Sequence, residues 1–323
     1  MKTLKNILIL ILTFSSFSAT AQDVEFSQFY ATKNYLNPAF TSLTSDQSFS
    51  TTFRNQWPGI ENAYNSYFVS YDRCLRSKDA GVGVYYLGDL AGEGALLRQS
   101  IAFQYAKHLR LSKKLYASYG IKGSYNSLSI RWDRLVWGDM LDARRGIVAP
   151  TNQQQGASNV HYFDAGTGFI VHSDKFQGGI ALEHINRPKH GLLSLYEQER
   201  IPIRYKMHLG GNIPFQTAPN APLVSLSPQM IYTRQGAADQ LALGAYLTYT
   251  QFTIGAWHRL GDSMIILVGM KTNGIQIGYS YDMSVNNLMA RSGGAHEISL
   301  SFGFDRHSKE STRKYKTINC PVF

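Results

Sequence analysis

Two cysteines, Cys74 and Cys320, are all that 323 residues contain, which excludes a disulfide framework and leaves no zinc-ligand spacing. One bridge between them and two separate thiols both stay open. Histidines and carboxylates are scattered, and "HYFD" and "HEIS" fall short of H-E-x-x-H or any other metal pattern. A hydrolase needs a Ser, a His and an acid converging in space; Asp164, His184 and His208 could meet with a Ser, yet no local signature unites them. The chain therefore reads as non-enzymatic and without a cofactor. Charged residues are scarce, at 17%, and beyond residue 21 no stretch supplies the roughly 20 apolar residues of a membrane helix.

A greasy run does occur at the start. Lys2 and Lys5 precede the apolar stretch from Ile7 to Leu12, and Ala19-Thr20-Ala21 offers a small-x-small cleavage site, so residues 1–21 read as a signal peptide. Its apolar core is short for a retained anchor, and no Cys stands at the cut for lipid attachment. Export removes nucleic acid as the partner that a net charge of +10 would otherwise suggest.

What the chain has in plenty is Tyr (20), Phe (17) and Gly (28), set in a period of two. In "HEISLSFGF", Ile298, Leu300, Phe302 and Phe304 alternate with Glu297, Ser299, Ser301 and Gly303. Ile275, Ile277, Tyr279 and Tyr281 oppose Gln276, Gly278, Ser280 and Asp282 in the same way. Phe163, Ala165, Thr167, Phe169 and Val171 oppose Asp164, Gly166, Gly168 and Ile170, while Ile101, Phe103 and Tyr105 oppose Ala102, Gln104 and Ala106. The pattern predicts strands over 46–57, 63–72, 79–89, 96–108, 114–131, 159–171, 174–185, 202–216, 222–235, 238–249, 251–259, 262–271, 274–283 and 295–305. That is about fourteen, an even number, as bacterial single-chain barrels have.

Alternation would also suit a soluble sandwich, and the connections discriminate. "PGIEN", "GDLAGEGA", the stretch 132–158, "NRPKHGLLSLYEQER" and "SVNNLMARSGG" are long links; "CLRSK", "LRLSKK", "SD", "TAPNA", Thr250 and "TNG" are tight ones on the opposite rim. That asymmetry predicts an all-β fold: a transmembrane antiparallel barrel of the outer-membrane type, long loops extracellular, short turns and both termini periplasmic. Trp57, Tyr64, Trp132, Tyr232, Tyr249 and Trp257 are candidates for interfacial girdles, with Trp257 alternatively pointing inward. Gly166, Gly168, Gly210, Gly211, Gly244, Gly255 and Gly278 recur on the inner face and leave room there. Residues 22–45, "EFSQFYATKNYLNPAF" within them, fit neither period; they read either as a periplasmic or lumenal segment packing its aromatics on the barrel or as a loose tail. The barrel would take 46–305, and 306–323 would be a basic periplasmic tail.

"FSQFYATKNYLNPAFT" followed by "FRNQWP", together with the ending "NCPVF", resembles the PorP/SprF family of type IX secretion system membrane proteins of Bacteroidetes. The matching residues are Asn37, Pro38, Arg54, Asn55, Gln56, Trp57, Cys320 and Pro321. The resemblance implies an outer-membrane barrel working in type IX secretion, in many members holding or exporting a large surface protein, such as a gliding adhesin, through that cargo's C-terminal domain. It also implies, for some relatives, a periplasmic partner associated with peptidoglycan, or lipoprotein components. No catalytic residue carries over.

The candidate partner-binding residues are Arg54, Gln56 and Trp57 at the end of the first strand, and Trp137, Asp139, Arg144, Tyr196 and Arg291 on the long loops. Arg54 and Gln56 share a face with Thr52 and should line the lumen. They could contact cargo; an internal charge pair beside a girdle Trp is the commoner arrangement. Asn37-Pro38 is more often simply a turn. The tail's Arg306, Lys309, Arg313, Lys314 and Lys316 could dock an acidic periplasmic partner or simply be solvated. A general diffusion porin is the competing function.

Overall fold

Strict alternation of apolar and small or polar residues makes most of this chain β-strand, and the computed structural model describes residues 23–60, 64–92, 94–142, 144–153, 156–191, 200–215, 224–285 and 293–304. Strands β1 (Gln47–Gln56), β2 (Tyr64–Leu75), β3 (Ala80–Ala91), β4 (Leu96–Arg110) and β5 (Tyr116–Ile130) run up and down in order. A small separate hairpin, β6 (Leu141–Asp142) and β7 (Gly146–Ile147), follows within the loop. The wall resumes with β8 (Asn159–His172), β9 (Phe176–Glu183), β10 (Arg204–Gly211), β11 (Ile213–Phe215), β12 (Val224–Gln235) and β13 (Ala238–Tyr249). It ends with β14 (Phe252–Arg259), β15 (Ser263–Thr272), β16 (Ile275–Ser284) and β17 (Ala295–Phe304).

Both β10 and β11 pair with β12. They are one strand broken at Asn212, whose amide turns aside to the carbonyl of Lys175 at 2.8 Å. Counted so, the described wall has 14 antiparallel strands. It closes because β17 lies along β1 from Gln47↔Phe304 to Gln56↔Ala295. Closure leaves no free edge, the condition hydrocarbon imposes on a sheet.

The expected strand order holds throughout, with local shifts of boundary. β2 continues through Cys74 and Leu75, because the turn after it is a single 3-10 turn, Arg76–Lys78, ended by Asp79 in the left-handed region (φ 45°). The hairpin β6–β7 carries no two-residue period long enough to announce itself.

Side-chain alternation divides the wall cleanly. On β4, Ile101, Phe103 and Tyr105 are exposed while Ala102, Gln104 and Ala106 are buried. Phe103 is 67% exposed and Phe163 73%. With Ile121, Leu209, Leu243, Ile254, Ile266, Val268, Ile277 and Ile298 they make an outer surface of apolar side chains encircling the barrel. A water-soluble monomer does not expose apolar patches beyond a few hundred Å²; a lipid-facing wall must. Tyr64 and Tyr249 are exposed on it. Trp257 is not: it is 3% exposed and turned inward, because the bare surface of Gly244 on the facing strand accepts its indole. Trp132 is also buried and stacks on Trp137, centroids 5.9 Å apart, within the long loop.

The lumen is full. Residues 26–43 are buried almost without interruption, threading the barrel as a coil with one turn of helix, α1 (Lys33–Leu36), and a 3-10 turn, Pro38–Phe40. Phe26 packs with Tyr35, Phe68, Tyr85 and Leu87; Phe29 and Tyr30 with Ile231, Tyr246, Trp257, Ile265 and Leu267; Phe40 and Leu43 with Tyr116 and Ile170. The inner face is thus not uniformly polar: its greasy patches match the rings of this plug, each contributing about 1.5–3 kcal/mol on burial.

Candidate functional site

Aromatics alone would let the plug slide, and three polar anchors fix it. At the first, Glu297 on β17 accepts two successive plug amides, Ser27 N at 2.8 Å and Gln28 N at 2.9 Å. Arg54 on β1 bonds Glu297 at 3.2 Å and Asp282 on β16 at 2.8 Å. The Ser27 hydroxyl donates to Asp282 at 2.6 Å and accepts from Arg54 at 2.9 Å and Arg259 at 3.3 Å. Every one of these charges is nearly inaccessible to solvent. Ionisable groups buried so deeply persist only when paired.

The second anchor grips the tyrosine of α1. Lys206 donates to the Tyr35 carbonyl at 2.8 Å and sits 4.1 Å from the centre of its ring. Arg204 donates to the Tyr35 hydroxyl at 3.0 Å and also reaches Glu25. Glu183 on β9 neutralises Lys206 (2.7 Å) and Lys122 (2.6 Å). Above them Asp23 pairs with Arg98 at 2.8 Å and with His184 at 2.7 Å. Burial pushes the Asp23 carboxyl up, but the hydrogen bond and charge of His184, with Arg98 and Arg204, outweigh that and hold it well below the usual range.

The third anchor is the Asn-Pro motif. Asn37 caps the 3-10 turn by accepting from Ala39 N at 2.9 Å, with Pro38 at the first position, where its missing N–H is harmless. Its amide nitrogen donates to the wall carbonyls of Phe169 (3.3 Å) and Ile180 (3.2 Å). Such contact needs bare backbone. A Cβ at Gly168 would land on the Asn37 side chain, and one at Gly120 on Pro38 and Ala39. Asn34 and the Ser42 amide both bind Asp72, at 3.1 and 2.7 Å, while Gln104 donates to the Asn34 carbonyl at 2.7 Å. Asn37-Pro38, expected as a simple turn, is a turn whose side chain is bonded into the wall.

The candidates from sequence separate in space. Arg54, Gln56 and Trp57 surround one cavity of about 320 Å³ at the long-loop end, whose other walls are Asp23, Val24, Glu25, Tyr64, Asp89, Arg259, Asp262 and Asp282. Within it Arg54 is an internal tie, since its guanidinium is taken by Asp282, Glu297 and Ser27. Trp57 sits in the left-handed region (φ 61°), donates its amide to Gly294 at 2.7 Å, and meets Tyr64 edge-on at 5.3 Å between centroids.

Trp137, Asp139 and Arg144 do not line this cavity. They build their own loop. Asp139 accepts from the Thr151 hydroxyl (2.9 Å) and the Asn152 amide (2.7 Å), and that amide bond lowers its carboxyl pKa. The Arg144 amide closes a turn on Asp142 at 2.9 Å, leaving the side chain exposed. Tyr196, Arg291, the leader, the basic tail and Cys320 lie outside the described residues.

Of the conceivable hydrolytic trio, His184 does reach Asp164 (3.1 Å), but His208 faces Asn37 at 3.1 Å. Among the described residues no three His, Cys, Asp or Glu are grouped to hold a metal ion. The residues missed in sequence are Ser27, Asp72, Glu183, Arg204, Lys206, Asp282 and Glu297. For the last six the signal was available, an ionisable residue at an inward position of a membrane strand; Ser27, in the aperiodic plug, carried none.

The first described residue lies far from the start of β1. β1 starts and β17 ends at the short-turn rim, but Asp23 bonds Arg98 near the beginning of β4, His184 just past β9, and Gln235 at the end of β12. All three belong to the long-loop rim. Asp23 therefore lies at the rim opposite the start of β1, because residues 26–43 cross the lumen between them.

A closed antiparallel wall with an apolar outside and a lumen sealed by its own N-terminal segment defines an outer-membrane-type β-barrel of plugged form. The chain belongs to the PorP/SprF family, whose model, described as type IX secretion system membrane protein PorP/SprF, matches residues 18–302. No individual curated protein matches it in sequence. Among solved structures it is similar to the toluene transporter TbuX of Ralstonia pickettii (12% identity, TM-score 0.45, covering 83% of this chain and 92% of that one). It is similar also to the outer membrane protein Omp33 of Acinetobacter baumannii (10%, 0.42, 82% and 100%) and to the CymD monoaromatic hydrocarbon channel (11%, 0.46, 86% and 94%). The likeness is one of barrel form and carries no argument about role.

Proposed function

We propose that this type IX secretion barrel is a non-enzymatic docking protein that retains, or helps export, a secreted surface protein by gripping that cargo's C-terminal domain on its long-loop side. The observation that carries the reading is the filled lumen: Phe26 to Leu43 occupy the space through which a cargo or a solute would pass. What remains for a partner is the mouth around Gln56 and Trp57 and the loop that bears Trp137 and Arg144. The same filling counts against a diffusion porin. Adhesin cargo, as in gliding members of the family, and periplasmic partners of the basic tail belong to this proposal.

The test is capture of a fusion carrying a type IX C-terminal domain by the tagged barrel in mild detergent, comparing the full chain with a variant lacking residues 138–156. Capture should fall at least tenfold while the barrel keeps its heat-modifiable mobility. Undiminished capture by the folded variant removes the loop from the proposal.

A further inference from the structure

The outer wall is apolar through its middle, but on three adjacent strands it changes character toward the short-turn end. Cross-strand register sets the outward residues of β2, β3 and β4 in rows there: Tyr71, Val84 and Phe103, then Arg73, Val82 and Tyr105, then Leu75, Ala80 and Lys107. Val82 and Val84 make the low floor of a valley, walled by Phe103 and Tyr105 on one side and Tyr71 on the other. The Tyr71 hydroxyl donates to Gln47 Oε1 on β1 at 3.0 Å, which leans that ring away from the floor. At the rim end Arg73 and Lys107 flank the valley from its two sides, about 10 Å apart across the sheet.

Both cations are open to a ligand. Asp72, beside Arg73, points inward to Asn34 and the Ser42 amide, and Asp46 is taken by Arg76. Among the described residues no carboxylate pairs with Arg73 or Lys107. Lys107 gives one of its three donors to the Lys78 carbonyl, which brings the turn's own exposed ammonium alongside. The His108 amide donates to the Asp79 carbonyl at 2.9 Å, so the β2–β3 and β4–β5 turns lie side by side; the second adds exposed Arg110, Lys113 and Lys114. Half-buried Asp79 is the one acidic residue the two turns contribute. At the opposite end of the same three strands the outward rows read Asn65, Leu90 and Leu97, then Tyr67, Gly88 and Gln99, without a charge.

We propose that this valley binds an anionic phospholipid of the leaflet that meets the short-turn rim: an acyl chain lies on Val82 and Val84, and the phosphate sits between Arg73 and Lys107. Position favours a lipid over an acidic protein. Arg73 and Lys107 are outward residues of wall strands, next in line after Tyr71 and Tyr105, so their stems rest on apolar wall and their charges open sideways onto the headgroup layer. A cation near an anionic bilayer surface contributes about fivefold in binding, so the pair should favour an anionic over a zwitterionic lipid by at least about tenfold. The site lies on the rim opposite the proposed docking mouth and stands independently of that reading.

The test uses the full chain in bilayer discs of equal phosphatidylglycerol and phosphatidylcholine, released into mild detergent and weighed with its retained lipid by native mass spectrometry. The unaltered chain should keep phosphatidylglycerol in preference by about tenfold. Arg73→Gln with Lys107→Gln should abolish the preference, while Lys113→Gln with Lys114→Gln on the neighbouring turn should leave most of it. Val82→Trp fills the floor without touching a charge and should lower retention; heat-modifiable mobility checks that each variant barrel is folded. Absence of preference in the unaltered chain overturns the inference. Equal loss from the turn pair does so too, since the rim would then act as a diffuse field, as does undiminished retention by Val82→Trp. Displacement of the lipid by inorganic phosphate would assign the cations to a free anion. Capture of polyglutamate by the solubilised barrel, lost in the Arg73→Gln, Lys107→Gln variant and unaffected by added phosphatidylglycerol, would give the surface to an acidic protein. Either result overturns the lipid site.

Discussion

Arg54 and Glu297 stand 243 residues apart and face each other directly in the register of β1 and β17. With Asp282 and Ser27 they form a buried knot in which one guanidinium serves two carboxylates and a plug hydroxyl. Removing the cation leaves Glu297 without a cationic partner and Asp282 with only Arg259, at 3.6 Å, so Arg54→Ala should destabilise the folded barrel by about 3–5 kcal/mol. Adding Glu297→Gln should recover part of that loss, because the two changes act on one interaction. Urea midpoints of unfolding in lipid vesicles measure the cycle; strictly additive losses would show that the knot is not one unit. An inward Arg and an inward Glu were legible from alternation, but that they meet was not. Opposition of the first and last strands exists only after closure.

At the scale of the element, the plug depends on wall positions that have no side chain. Gly168 and Gly120 admit Asn37 and Pro38, and Gly278 admits the hydroxyl of Tyr30, which bonds Gln28 at 2.5 Å. Gly168→Val keeps strand propensity while filling the seat of Asn37, so it should expel the middle of the plug and leave the wall intact. In planar bilayers the full chain should conduct almost nothing. A variant lacking residues 24–44, and to a lesser degree Gly168→Val, should show steady open conductance. Equal silence from the deletion variant would mean that the wall's own inward rings, Trp257 and Tyr246 among them, close the lumen without the plug. The inward glycines were readable as room for something. What occupies that room was not, since a segment without a period of two or 3.6 gives no sign of the surface it will meet.

For the whole molecule, the outer apolar surface makes the bilayer the solvent. Ile266 and Ile265 are neighbours on β15, one 53% exposed outside and the other buried within. Ile266→Arg should cost about 2–4 kcal/mol if it lies at the bilayer midplane, less toward either interface. Folding equilibria into lipid vesicles read this directly. A protein that stayed folded and monomeric in buffer without detergent would contradict the lipid-facing assignment altogether.

Strand order, the sidedness of each strand and the division into a long-loop rim and a short-turn rim were determined by the sequence alone, because alternation and turn chemistry are local and repeat fourteen times along the wall. Tertiary structure alone decided three things: that Trp257 turns in onto Phe29, that Arg54 is taken up by Glu297 and Asp282, and that residues 23–46 cross the barrel from the long-loop rim to the short-turn rim. Each depends on what the closed wall sets opposite a residue, and sequence distance carries no record of that.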